Sequence, residues 1–161
     1  MKMKPEILNL IRQLESSYNG RPWYGESLLQ KLEGIGPKEA FAVPVTGVHS
    51  VAQITAHILV WRRVLAERLK GEPGFKVEID SAADWPSTAA LQEKGWSRIL
   101  AELADNQREL ISLLSSAPED LPETVFSGSS TYRELIEGIL QHDVYHIGQI
   151  GLVLSILKNQ A

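Results

Sequence analysis

The chain of 161 residues contains no cysteine. Disulfide cross-links, thiolate ligands for a metal and a cysteine nucleophile are therefore all excluded. Any metal ion must be held by histidine, aspartate or glutamate side chains, and any thiol used in a reaction must come from outside the chain.

Long apolar runs are also lacking. No segment approaches the roughly 20 consecutive apolar residues that a membrane-spanning helix needs. The N-terminal stretch MKMKPEILNLIRQL has neither the continuous apolar core nor the small-residue cleavage site of a secretory signal. We therefore expect a cytoplasmic protein with no membrane partner.

Positive charge is not in excess either. The 16 Lys and Arg residues are outnumbered by 20 Asp and Glu residues, and the resulting net charge of -4 opposes binding to nucleic acid. Arg62, Arg63, Arg68 and Lys70 form a local basic cluster. No aromatic residues alternate with it, so the cluster is interpreted as a solvated helix face.

What the chain does contain is an ordinary globular composition, with 43% hydrophobic and 22% charged residues. Its length is that of a single domain over residues 1–161, long enough to bury more than half of the unfolded surface. Four long segments repeat apolar residues at spacings of three and four, and no alternating run rich in Val, Ile and Thr competes with them. The predicted fold class is all-α.

Capping and breaking signals delimit these helices. The first helix is predicted from Pro5 to the break SSYNG, and a short amphipathic piece follows at 27–32. The later helices begin at Ser50, Ser87 and Thr131, where S-x-x-Q and T-x-x-E capping boxes mark the first and third of these starts. These three helices are predicted to end at GEPG (71–74), at about 115 and at about 157. The predicted Gly- and Pro-rich loops cover 34–48 and 117–130.

Two histidines interrupt the apolar face of the last predicted helix. In QHDVYHIGQI, His142 and His146 stand where the rest of the helix presents Leu and Ile. Residues four apart share one face of a helix, the geometry by which H-E-x-x-H helices chelate zinc. Asp143, not Glu, follows His142, so the sequence does not predict a zinc protease of that type.

His57, on the apolar edge of the second predicted helix, is the candidate third ligand. Helix bundles build metal sites from inward side chains on facing helices, and neutral imidazole is a common metal ligand. The alternative is that the histidines are core residues satisfied by hydrogen bonds, because a buried polar group without a partner is costly. The spacing is compatible with both interpretations, a metal site and hydrogen-bonded core histidines.

Six further residues are candidates for the surroundings of this site. His49 is expected at its mouth rather than among the ligands. Trp61 either lines the site or packs in the core, and Gln149 either bonds a neighbouring helix or orients a ligand. Tyr145 lies beside His146 in the sequence. Trp23 and Tyr24, in RPWYGES, either wall a pocket or plug the end of the helix bundle.

Three glycines lie within the last predicted helix. Gly138, Gly148 and Gly151 each cost roughly 1 kcal/mol of helix propensity relative to Ala. We expect the close approach of a neighbouring helix or of a ligand to compensate for this cost.

Two segments, HSVAQITAHILVWRR (49–63) and STYRELIEGILQHDVYHIGQIGLVLSILK (130–158), resemble the DinB-like superfamily, also called damage-inducible or YfiT-like. The specific features are a His one turn ahead of a Trp in the second helix and HxxxHxGQI in the last. The likeness extends through nearly the whole chain in helix order and loop placement.

The resemblance implies a four-helix bundle with up-down-down-up topology. It also implies a divalent ion, such as nickel, zinc or iron, held by His57, His142 and His146. Relatives include S-transferases that use bacillithiol or related thiols and a mycothiol-dependent maleylpyruvate isomerase. The implied function is that of a metal-dependent thiol S-transferase or hydrolase acting on a small electrophile, and the implied assembly is a homodimer.

Two alternatives remain at this stage. The first is a non-catalytic metal-binding stress-response protein whose ion stiffens the helices; it predicts a sealed site with a complete set of protein ligands. The second is a DNA-binding module, which the acidic balance disfavours. A solvent-reachable site with fewer than four protein ligands favours the enzyme. No catalytic acid or base is identifiable from the sequence.

Overall fold

The structure is a computed structural model that describes residues 5–160, so the first four residues of the N-terminal stretch lie outside the described range. The described chain is mostly helical, in agreement with the all-α prediction. Its elements are α1 (Pro5–Asn19), α2 (Leu28–Leu32), α3 (Pro37–Ala40), α4 (Val51–Leu69), α5 (Thr88–Lys94), α6 (Trp96–Ser115), a 3-10 helix (Leu121–Glu123), β1 (Val125–Ser127), β2 (Ser130–Thr131) and α7 (Tyr132–Gln160). Over residues 5–160, no helix combines the length and the apolar character needed to cross a bilayer.

The predicted capping boxes are present at the starts of the two helices that carry the histidines. The Oγ atom of Ser50 accepts a hydrogen bond from the backbone N–H of Gln53 at 3.2 Å, and the side chain of Gln53 accepts one from the backbone of Ser50 at 3.2 Å. Thr131 and Glu134 make the same reciprocal pair at 3.3 and 2.9 Å. Such pairs satisfy backbone donors that the helix itself leaves free.

Two helix boundaries differ from the prediction. Helix α1 continues through Ser16 and ends at Asn19, because Tyr18 is buried in the core and the Ser17 hydroxyl donates a hydrogen bond to the carbonyl of Leu14 at 3.1 Å. The third predicted helix is divided into α5 and α6 at Gly95, whose φ of 87° is readily adopted only by glycine. In α1, tertiary packing therefore prevails over the helix-breaking signal SSYNG.

The predicted loops contain short elements that periodicity did not reveal. Helix α3 lies inside the 34–48 segment. A small antiparallel hairpin, β1 with β2, begins inside the 117–130 segment and ends one residue beyond it. Both are shorter than the windows in which a period can be recognised.

The four long helices enclose the core. Helix α4 packs against α6 and α7, and α1 packs against the same two helices. Two apolar clusters result, one around Ile54 and Ile150 and the other around Leu65 and Ile136. Buried polar side chains lie between the two clusters on the same helices: His57, Arg62, Asn106, Gln107, Asp143 and His146.

The interpretation of the basic cluster as a solvated face is wrong for Arg62. Its side chain has no exposed surface, its Nε donates to Oδ2 of Asp143 at 2.8 Å, and its Nη1 donates to Oε1 of Gln107 at 2.5 Å. Arg63, by contrast, is exposed and bonds Glu102 at 2.8 Å. The buried ion pair joins α4 to α7 in the middle of the molecule.

The glycines of α7 do not make the close helix contacts that their propensity cost suggested. Apart from its chain neighbours and the nearby backbone of α7 itself, a Cβ built at Gly138 or Gly148 would meet no atom within 4 Å. One at Gly151 would meet the flexible side chain of Lys31 at 3.4 Å. The expected neighbouring helix is therefore not the reason for glycine at 138 and 148.

Candidate metal centre

Helices α4 and α7 bring His57, His142 and His146 together. The Nε2 atoms of His57 and His142 lie 3.0 Å apart, and one ring nitrogen from each of the three residues falls within a group spanning 4.8 Å. The ring centroid of His57 lies 4.9 Å from that of His142 and 4.6 Å from that of His146. The convergence expected from the sequence is therefore present.

The site has one side that solvent can reach. His57 and His146 are each 5% exposed, whereas His142 is half-buried. Among residues 5–160, this group holds three potential ligand residues, all histidines. A set of three protein ligands leaves at least one coordination position free.

All three imidazoles are neutral near pH 7. Burial lowers the pKa of His57 and of His146. Burial, together with the repulsion that a second charge beside His146 and His57 would meet, lowers the pKa of His142 to about 3. Removing a cation from water disfavours the protonated form, as does a nearby like charge. Neutral imidazole has the free lone pair that metal coordination requires.

Asp84 holds the outer edge of the His57 ring. Nδ1 of His57 lies 2.8 Å from Oδ1 of Asp84 and 3.2 Å from its backbone carbonyl oxygen. Both atoms are acceptors, so Nδ1 carries the proton and the Nε2 lone pair faces the other histidines. Carboxylates commonly orient metal-binding histidines in this way.

The Asp84 carboxylate is itself held in place. It is 1% exposed and accepts hydrogen bonds from Nε1 of Trp61 at 2.9 Å and from the backbone N–H of Asp80 at 3.0 Å. Sequence reasoning missed Asp84, because an aspartate in a connector shows no periodicity. Asp84 lies beside Trp61 and His57 because the connector folds over α4, and the sequence does not show this folding.

Trp85 covers the face of the same ring. It lies between His57 and His49, with centroid distances of 3.8 and 3.9 Å and an angle of 7° between the planes in both cases. His49 is exposed and lies on the far side of Trp85, outside the group of three, as expected. Trp85 was also missed from the sequence, for the same reason as Asp84.

Gln149 orients the third histidine. Its Oε1 lies 2.6 Å from Nδ1 of His146, so the Nδ1–H donates and Nε2 keeps its lone pair. Tyr145 is 64% exposed, and its ring centroid is 4.9 Å from that of His146. Trp61 lies 5.9 Å from His142 between ring centroids, so it lines the site as well as packing.

Trp23 and Tyr24 lie elsewhere. They line a surface groove of about 620 Å³ with Tyr145, and none of the three site histidines lines this groove. The side chain of Trp23 is fully exposed, so the proposal that it plugs the end of the helices is wrong.

The residues present fit a divalent ion. Two nitrogens that each bind one ion at about 2.0–2.1 Å lie about 2.8–3.4 Å apart when the angle at the ion is between about 90° and the tetrahedral value. The Nε2 atoms of His57 and His142, 3.0 Å apart, fall in this range. Nδ1 of His142 is buried and has no hydrogen-bond partner in the described part of the chain.

Comparison with known protein families identifies a match. The family model for the DinB superfamily matches residues 25–150, a range that includes the three histidines and Asp84. Searches of curated proteins and of solved structures found no match. Because the family model matches most of the length of the chain, the chain belongs to the DinB superfamily.

Proposed function

We propose that the protein is a divalent-metal-dependent enzyme that uses His57, His142 and His146 to hold nickel, zinc or iron. The proposed reaction is transfer of a low-molecular-weight thiol, of the bacillithiol kind, to a small electrophile, or hydrolysis of that electrophile. The observation that carries the proposal is a group of three neutral histidines with one half-buried member. Such a set is typical of a catalytic rather than a structural metal site.

The residues of the chain would prepare the centre for the ion. Asp84 and Gln149 keep protons on the Nδ1 atoms of His57 and His146, so both Nε2 atoms point inward as ligands. When bound, a divalent ion lowers the pKa of an adjacent thiol or water and so supplies a nucleophile near neutral pH. In the transfer, the thiol proton passes to solvent, sulfur bonds to the electrophilic carbon, and the leaving group departs with its electron pair.

The second candidate is a non-catalytic metal-binding protein of the stress response. It predicts a closed site in which the ion serves stability alone. The half-buried position of His142 argues against a closed site, and the absence of an identified acid or base argues for this alternative.

The family likeness supports two further parts of the proposal: up-down-down-up topology for the four long helices, and association into a homodimer. Exposed apolar side chains such as Trp23 and Leu152, which are 102% and 62% exposed, would be covered in such an assembly. Light scattering of the purified chain would show a single monomer mass if the homodimer is wrong.

Elemental analysis of protein purified without an affinity tag tests the metal. We expect one divalent ion per chain, and its loss in His57→Ala, His142→Ala and His146→Ala. The matched control is His49→Ala, which removes the remaining histidine of the chain and should keep the ion. Retention of metal in all four variants would exclude this site.

A thiol-conjugation screen on native and demetallated protein tests the activity. We expect conjugation of small electrophiles by the native form, loss after demetallation and recovery when the ion is restored. A rate that does not depend on the ion would refute the enzyme. Metal-dependent stability without conjugation or hydrolysis would favour the stress-response alternative.

A further inference from the structure

A small cleft leads to the half-buried histidine of the metal centre. It has a volume of about 280 Å³ and is lined by Trp61, Glu134, Leu135, Gly138, Ile139 and His142. The walls are mostly apolar. Glu134 is the acidic residue of the lining, and its carboxylate accepts a hydrogen bond from the backbone of Thr131 at 2.9 Å, so it is engaged at the helix start.

Gly138 keeps this cleft open. It is exposed in the second turn of α7, inside the helix, where glycine costs roughly 1 kcal/mol of helix propensity relative to alanine. Apart from its chain neighbours and the nearby backbone of its own helix, no protein atom lies within 4 Å of the position its Cβ would take. The space above Gly138 therefore belongs to the cleft, and a large side chain there would narrow the approach to His142.

Trp61 forms a fixed aromatic wall on the other side. Its Nε1 donates to Asp84 at 2.9 Å, which holds the indole in one orientation. Aromatic rings pair favourably when offset or edge to face, and apolar groups gain by leaving water. The cleft thus offers an apolar, partly aromatic surface beside a ligand of the proposed ion.

We infer that this cleft binds a compact, uncharged apolar group, a single ring or a short alkyl chain, on the electrophilic substrate. The volume is just below the range of about 300–1,000 Å³ found for sites that hold whole small molecules, which fits one group of a substrate. A polar thiol of the bacillithiol kind suits the apolar walls poorly, so the electrophile occupies the cleft. The inference rests on the proposed function and names its substrate class.

Two metal-binding probes that differ only in their apolar part test the inference. Benzohydroxamate and acetohydroxamate are titrated calorimetrically into the nickel-loaded full-length protein. We expect benzohydroxamate to bind about tenfold more tightly, as expected for burial of about 60 Å² of ring surface.

Gly138→Leu should abolish this preference and leave acetohydroxamate binding within about twofold. Gly148→Leu is the matched control, since Gly148 is also an exposed glycine of α7 with open space at its Cβ position and does not line the cleft. This variant should keep the tenfold preference. Leucine is a strong helix former, so both variants should fold.

The possible outcomes separate the two proposals. Equal binding of both probes to the unsubstituted protein, or a preference that survives in Gly138→Leu, would refute the inference about the cleft. Neither result would contradict the proposed metal-dependent enzyme. Binding of neither probe to the loaded protein would refute an open metal centre and, with it, both proposals.

Discussion

Substitution of Asp84 should weaken metal binding although this residue is not a ligand. Oδ1 of Asp84 accepts from Nδ1 of His57 at 2.8 Å and from Nε1 of Trp61 at 2.9 Å, while Oδ2 accepts from the N–H of Asp80 at 3.0 Å. In Asp84→Asn, the amide oxygen can accept from His57 and Trp61 only if the amide NH2 then points at the backbone N–H of Asp80, which is also a donor. Alanine removes every side-chain acceptor.

The expected magnitude follows from this difference. Loss of a group that orients a metal-binding histidine typically reduces metal affinity by about 10- to 100-fold. We expect about tenfold for Asp84→Asn, whose amide oxygen can still accept from His57, and about 100-fold for Asp84→Ala. These factors correspond to about 1.4 and 2.7 kcal/mol.

The assay is the dissociation constant for zinc, measured by competition with a chelator, together with urea unfolding of each metal-free variant. Trp61→Phe removes the other side-chain donor to Oδ1 and should change zinc affinity less than about threefold. Asp105→Asn, at an exposed aspartate, should change nothing. If Asp84→Ala binds zinc as tightly as the unsubstituted protein, Asp84 does not position His57.

Three further predictions concern stability, and urea unfolding checks each. The metal-free protein should lose stability as the pH falls from 6.5 toward 3, because the pKa of His142 drops from 6.5 to about 3 on folding. The loss should stay below about 1.4 kcal/mol per pH unit for this partly exposed ring, and an equal loss in His142→Gln would contradict it. Asp143→Leu should cost about 3–5 kcal/mol by leaving Arg62 unpaired, and adding Arg62→Met should restore most of it; additive losses would argue against the buried pair. Ser50→Ala should cost about 1 kcal/mol through loss of the N-cap, and an unchanged midpoint would show that the cap is dispensable.

The sequence alone was sufficient for the starts of α4 and α7 and for the pair of helices that carries the histidines. Capping boxes and apolar spacing are local properties, since the groups involved lie within a few residues of one another. His142 and His146 share a helix face for the same reason. The bond between Gln149 and His146 also spans a single helical turn, and it agrees with the alternative in which Gln149 orients a ligand.

Tertiary structure alone decided the surroundings of those histidines. Asp84 is 27 residues from His57 in the chain, and Asp143 is 81 residues from Arg62. A connector residue that folds onto a distant helix shows no period, and an arginine in a basic cluster looks solvated until its buried partner is known. The open space above Gly138 likewise depends on what every neighbouring element leaves unfilled. These features result from packing between distant segments, and no short stretch of sequence contains both partners.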